Sequence, residues 1–207
     1  MNFSDRFLTE CRQVIDEISS SEIEKLADAL HKLREMNGRL FFLGSGGGAG
    51  HASHATCDFR KLCNIESYSP YDNVSELTAR VNDEGWDVTL SHWLKVSRLT
   101  EKDGIFVFSV GGGSILPPIS ANLVQAIQYA KSCKAKIFGI VGKNGGYTKQ
   151  VGDAVVVVPV VSPQRITPLT EGFQAIVWHL LVSHPKLQLH STKWESVKEG
   201  TACEKTL

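Results

Sequence analysis

The chain has 207 residues, a length that suits one compact domain with a helical extension. Its 22 basic and 22 acidic residues cancel and form no basic stripe, which argues against nucleic-acid binding by charge. No apolar run approaches the roughly 20 residues that span a bilayer, and the first residues lack the basic-then-apolar pattern of a secretory signal.

Residues 1–38 read as two amphipathic helices. Phe7, Val14, Ile15 and Ile18 recur at helical spacing, and Ile23, Leu26, Leu30 and Leu33 share one face of the second helix. Ser19-Ser20-Ser21 breaks the run, Ser21 with Glu24 suggests a capping box, and Asn37-Gly38 ends it. From residue 39 to 185 the pattern alternates. Wholly apolar runs at 40–43, 105–108, 136–141 and 154–158 are separated by helical spacing over 49–62, 73–98 and 120–133. Strands apolar throughout, with helices between them, imply a parallel sheet covered on both faces. A long helix is expected over 169–182, with Thr167 as its cap and Pro168 at its first position. The tail over 186–207 is polar apart from Trp194 and reads as an arm on a neighbouring subunit or a loose end. Cys11, Cys57, Cys63, Cys133 and Cys203 are odd in number and lack C-x-x-C spacing, so reduced thiols in a cytoplasmic protein are expected.

Two glycine loops follow the first two apolar runs. Gly44-Ser45-Gly46-Gly47-Gly48-Ala49 lies between a strand and a helix, where backbone N–H groups converge on an anion. Ser109-Val110-Gly111-Gly112-Gly113-Ser114 adds hydroxyls but has no lysine at Walker spacing, which argues against a P-loop NTPase. Gly44, Gly46 and Ala49 also fit G-x-G-x-x-A, yet no acidic residue ends a second strand about 20 residues on, so a dinucleotide is the weaker reading. Tight turns without a ligand are the plain alternative.

Ionisable residues gather at helical spacing. His54 and Asp58 are four apart, with His51 three before, and Glu171 and His179 lie two turns apart on the late helix. One imidazole and one carboxylate from each helix would suit Zn²⁺. The same groups would serve acid–base chemistry without metal, or surface hydrogen bonding. Asn82-Asp83-Glu84-Gly85 reads most simply as a helix cap, with Asp83 facing a ligand as the alternative.

Together these motifs resemble the sugar isomerase (SIS) domain, and within it the phosphoheptose isomerase (D-sedoheptulose 7-phosphate isomerase) family. The glycine loop with His54, Asn82-Asp83 with Gly85, the serine-bearing second loop, Gly145-Gly146 and the late helix with His179 carry the resemblance. It implies a single α/β domain, a three-layer doubly wound five-stranded parallel sheet with an N-terminal helical extension. It also implies a homotetramer with sites between subunits, and aldose–ketose isomerisation of sedoheptulose 7-phosphate, often with zinc. A non-catalytic module that binds a sugar phosphate or a protein partner is the alternative, as is an isomerase of another sugar phosphate or one giving another epimer. His54, Asp58, Glu171 and His179 match metal ligands, and Asp58, Glu171, His179 and Asp83 match catalytic positions. Ser45, Gly46, Gly47, Gly48, Asn82, Asp83, Ser109, Gly111, Gly112, Ser114 and Ser120 match substrate- or phosphate-binding positions, with Ser114 and Ser120 rivals for the last contact. Departures mark a divergent branch. Ser45 and Gly48 replace the usual Asn and Ser, Ile115 to Ile119 look inserted, and Asp58 and Glu171 replace the usual Glu and Gln. These last two changes suggest that the catalytic base has moved from Asp58 to Glu171.

Overall fold

The computed structural model of the protein describes residues 1–192; Trp194, Cys203 and the rest of the tail lie outside the described residues. Two helices come first, α1 (Phe3–Glu17) and α2 (Ser20–Glu35). The cap between them is Ser19, whose side chain accepts from Glu22 N–H at 3.2 Å, so the capping serine sits two residues earlier than the Ser21–Glu24 spacing predicts. α2 buries Ile23, Leu26, Ala27, Leu30 and Leu33 along one side.

The five-stranded sheet has β1 (Leu40–Gly44), β2 (Ser67–Tyr68), β3 (Gly104–Ser109), β4 (Lys136–Val141) and β5 (Ala154–Val157). All neighbours pair in parallel, in the order β2-β1-β3-β4-β5. The four longer strands fall where the apolar runs predict them. The fifth, β2, is two residues long and too short to leave a periodic signal. In register, Phe42 stands opposite Phe106 and Phe106 opposite Phe138, a row of rings on one sheet face. Phe41 and Ile105, then Ile137, form the matching row on the other. Both faces are therefore buried, which is why these strands are apolar at every position.

Helix α3 (Gly47–Cys63) and helix α8 (Ile166–Ser183) pack with α2 over the first face. Helices α5 (Trp86–Val96) and α6 (Ala121–Ser132), with the short α7 (Gly146–Val151), cover the second. The 73–98 segment is two helices rather than one. α4 (Val74–Glu84) ends at Gly85, whose φ of +91° only glycine adopts without strain, and α5 starts directly after it. Asp83 thus closes α4 instead of capping α5. α3 begins two residues before Ala49. α8 begins at Ile166, so Thr167 and Pro168 lie inside its first turn and its cap position, Arg165, makes no side-chain cap bond.

The amino ends of β1 and β3 are locked by charge. Asp103 is buried and accepts from the Arg39 guanidinium at 2.8 and 3.1 Å, and from the backbone N–H of Arg39 and Thr100. Burial alone would raise this carboxyl's pKa; the Arg39 bonds, then the backbone donors, outweigh it and hold the carboxyl below the usual range. Cys11, Cys57, Cys63 and Cys133 are free thiols. No helix among the described residues is long and apolar enough to cross a membrane.

Candidate active site

The strand order reverses direction between β1 and β3. In such sheets ligands bind beyond the carboxyl ends of the strands at that crevice. Both glycine loops lie there, because one follows β1 and the other follows β3.

The first loop is anchored at its start and packed tightly at its end. Tyr71, half-buried beside it, donates its hydroxyl to the Gly44 carbonyl and accepts from Gly44 N–H at 3.1 Å. Burial pushes the phenol pKa up to about 12, against the Gly44 bond, so Tyr71 stays a neutral donor. A Cβ on Gly48 would stand 2.6 Å from the Phe108 carbonyl oxygen, so the loop lies directly against the end of β3. Ser45 accepts from Asn122 Nδ2 at 3.1 Å, which ties the first loop to α6 behind the second. Asn122 is buried, and its Oδ1 has no partner among the described residues.

Residues of α3 that face α8 carry the ionisable groups. His54 Nε2 lies 3.7 Å from Asp58 Oδ2, one turn apart on α3. The His54 ring centroid is 5.5 Å from that of His179 and 4.7 Å from that of Trp178, both on α8. One ligand atom each from His54, Asp58 and His179 lie within 4.8 Å of one another. His179 Nδ1 is 2.8 Å from the Ala175 carbonyl oxygen. A carbonyl only accepts, so Nδ1 carries the hydrogen and Nε2 keeps its lone pair for a metal or a proton. Two imidazoles and one carboxylate so disposed fit a Zn²⁺ site with an open position.

Glu171 stands apart from that trio. Its carboxyl group lies over Gly47, where an added Cβ would be 2.6–2.7 Å from the carboxyl atoms. Gly47 is the first residue of α3, and the helix N-terminus favours the negative charge held there. Between Glu171 and the trio sits His51. Burial pushes its imidazole below the ordinary value; the Glu171 backbone and carboxylate oppose the shift, while His54 and His179 add to it. His51 is the residue that sequence reasoning left out of the site. Its signal was the three-residue spacing to His54, which puts both on one side of α3.

The second loop turns its carbonyls inward. Gly112 O accepts from Thr148 N at 2.9 Å and Thr148 Oγ1 at 2.8 Å, and Gly113 O accepts from Tyr147 N at 2.8 Å. Gly112 has a φ of +71°, and a Cβ there would stand 1.9 Å from the Gly145 carbonyl oxygen. Ser109 Oγ accepts from Gly112 N–H at 3.0 Å, within its own loop. Ser114 and Ile119 exchange two backbone bonds of 3.0 Å, so the intervening residues form a projecting loop with Ile115 and Leu116 exposed. Ser120, the rival of Ser114, occupies the N-cap position of α6 but makes no side-chain cap bond, which leaves its hydroxyl uncommitted. Asn82 and Asp83 hydrogen-bond to each other at 2.7 Å at the exposed end of α4, and among the described residues they bond to neither glycine loop.

No protein-family model matches the chain. A lincomycin biosynthesis protein from Streptomyces lincolnensis is 32% identical over 152 residues, which are 68% of this chain and 54% of that protein. The chain thus spans about half the length of that relative. A phosphoheptose isomerase from a Nitratiruptor species is 27% identical over 150 residues, covering 70% of this chain and 74% of that enzyme. Among solved structures, a phosphoheptose isomerase from Neisseria gonorrhoeae superposes with a TM-score of 0.74 at 20% identity, over 87% of this chain and 95% of that one. The last likeness shows the fold, and the sequence relatives show the kinship. The chain is a distant homologue of phosphoheptose isomerases and shares their fold, at an identity that fits a divergent branch.

Proposed function

We propose that the protein is an aldose–ketose isomerase that converts sedoheptulose 7-phosphate to a heptose 7-phosphate, with the D-glycero-D-manno epimer as the first expectation. The observation that carries this reading is the meeting of His54 and Asp58 with His179 across α3 and α8, beside the crevice where the loops converge. Phosphoheptose isomerases among the sequence relatives support the reaction class.

The base is Glu171. Asp58 belongs to the ligand trio, and a ligated carboxylate is a weaker base, whereas the Glu171 carboxyl is outside that trio. Glu171 removes a proton from C1 of the ketose, while His179 Nε2, which starts with a free lone pair, takes the O1 proton and passes it to O2. The proton on Glu171 then returns to C2, so C1 becomes the aldehyde and C2 carries the hydroxyl. Atoms balance, and each group ends in its starting state. His54, Asp58 and His179 would hold Zn²⁺, whose Lewis acidity would then stand in place of the His179 proton relay, because a ligated Nε2 has no lone pair left for a proton. His51, with its imidazole pushed below the ordinary value by burial, bonds to the Glu171 backbone and leaves the carboxylate charged. The sites lie between subunits of a homotetramer, where Asp83 of one copy would meet a neighbouring copy's loops. Residues 1–207 act as one SIS domain, with 1–38 as helical extension, 39–185 as core and 186–207 as tail.

The test is NMR of the product formed from sedoheptulose 7-phosphate, which reads turnover, aldose formation and configuration together. Glu171→Gln should lower kcat about 10²–10⁴-fold, and Asp58→Asn should lower both kcat and bound zinc. Full activity in both variants would sink this acid–base set. The likeness to a lincomycin biosynthesis protein favours a second reading, the same proton transfer on another sugar phosphate or toward another epimer. An aldose of a different configuration in the same spectrum would select it.

A further inference from the structure

The two imidazoles of the trio stand in the open: the His54 side chain is 59% exposed, and His179 is exposed as well. Exposed side chains exchange rotamers, and holding two of them at one point costs conformational entropy. Rings that converge on one ion therefore need supports. His179 has one in its own helix, the 2.8 Å contact of Nδ1 with the Ala175 carbonyl oxygen. His54 has no such support among the described residues, where it approaches Asp58 only at 3.7 Å.

Trp178 touches both rings. Its indole is buried with the core residues that α3 and α8 share. It stacks on His179 with ring centroids 3.5 Å apart and planes 27° apart. It meets His54 in an edge-to-face contact, at 4.7 Å and 69°. The two imidazoles thus stand 84° apart, each set by the same indole. Successive residues on a helix point about 100° apart, so a stack between 178 and 179 forms only when both side chains lean to one side. A second observation separates Trp178 from an ordinary packing residue. Its Nε1 is buried and has no hydrogen-bond partner among the described residues. Buried indole N–H groups normally find an acceptor, and leucine or phenylalanine would fill this space without an unmet donor. Space-filling therefore does not account for tryptophan here, whereas its contacts with the two imidazoles do.

We propose that Trp178 is a positioning residue that holds the His54 and His179 rings at fixed angles, so that both present a nitrogen to one metal ion. The proposal rests on the reading of His54, Asp58 and His179 as a ligand set. Aromatic rings favour offset stacking and edge-to-face contact, and the indole offers one of each. Fixing both rings before the ion arrives moves the ordering cost into folding, where the buried indole is immobilised already. Metal-binding imidazoles are usually oriented by a hydrogen bond to the other ring nitrogen. His179 has that bond and His54 lacks it, so the indole does for His54 what the Ala175 carbonyl does for His179.

The probe is Zn²⁺, titrated into the chelator-stripped full-length chain against a competing chelator. Trp178→Leu should raise the Kd for zinc about 10–100-fold, and Trp178→Phe, which keeps an aromatic ring, should recover most of that loss. Val177, buried on the same helix, is the packing control. Val177→Ala should lower the thermal melt and leave the zinc Kd unchanged. A Kd that Trp178→Leu does not move, or one that weakens in step with the melting temperature across all three variants, overturns the proposal. A second measurement needs no Trp178 variant to fold. In NMR of the metal-free, unmodified protein, the His179 ring protons, assigned by their absence from His179→Gln, should lie upfield of free histidine because they sit over the indole. Resonances at the free-histidine position overturn the proposal as well. No zinc binding by the unmodified chain overturns the ligand reading and this proposal together. Turnover of sedoheptulose 7-phosphate is read separately, so an inactive protein whose zinc Kd still depends on the indole sinks the isomerase reading and supports this one.

Discussion

Both glycine loops follow a strand of one sheet and face the same crevice, yet side chains of opposite charge lean over them. Glu171 covers Gly47 in the first; Lys143 covers Gly111 in the second. Their backbones differ as well. The first loop opens directly into a 17-residue helix, while the second gives its carbonyls to the start of α7. Glycine content therefore predicts that the backbone can approach a ligand, and the neighbouring side chain decides which charge is welcome. Acid–base chemistry fits the first loop and anion binding fits the second.

The largest expected break comes from the side chains beside the first loop. His179→Ala should reduce turnover about 10²–10⁴-fold with little change in the melting temperature, because the ring is exposed. Equal loss of stability and activity would mean that His179 serves the fold alone. Next is Gly112→Ala in the second loop. Positive φ and collision with the Gly145 backbone together should cost about 3 kcal/mol or more in urea unfolding. A near-neutral result would show that the loop is looser than its contacts imply.

The amino ends of the same two strands provide a control without site chemistry. Asp103→Asn should cost about 2–3 kcal/mol at pH 7 by weakening the bonds to Arg39 and leaving kcat intact. The Asp103 carboxyl is held below its ordinary range when folded, so its stabilising effect is fully present above the unfolded value of about 3.9. It fades as pH falls through the lowered folded value. The stability gap between wild type and variant should therefore close in urea melts taken below about pH 4. Smallest is Tyr71→Phe, which frees the Gly44 carbonyl and should cost about 1 kcal/mol. A kcat change larger than that stability loss would show that Tyr71 sets the first loop's shape for catalysis.

Much of the sheet was legible because strands buried on both faces are apolar at every position. Leu40 to Leu43 and Ile105 to Phe108 could hardly be read otherwise. β2 was hidden because two paired residues leave no period. The break inside 73–98 was signalled by the acid–glycine run at 82–85, read as a cap of the following helix; that Asp83 instead ends α4 depends on the positive φ at Gly85. His54, Asp58 and His179 were found by spacing, since helical residues four apart share a face whatever the tertiary fold. His51 was signalled by its spacing to His54, whereas the position of Glu171 over Gly47 depends on how α8 lies across α3, which no local pattern encodes. Lys143 was overlooked for the same reason: it is remote in sequence from the loop it overhangs.

Gly48 bears on how this branch could have arisen. The family's usual serine at that position needs a Cβ, and here that atom would stand 2.6 Å from a main-chain oxygen of β3. Replacing Gly48 by serine alone would collide with a strand in the middle of the sheet, which has no room to retreat. A serine at position 48 would therefore need the loop to move away from β3 before its hydroxyl could reach a ligand.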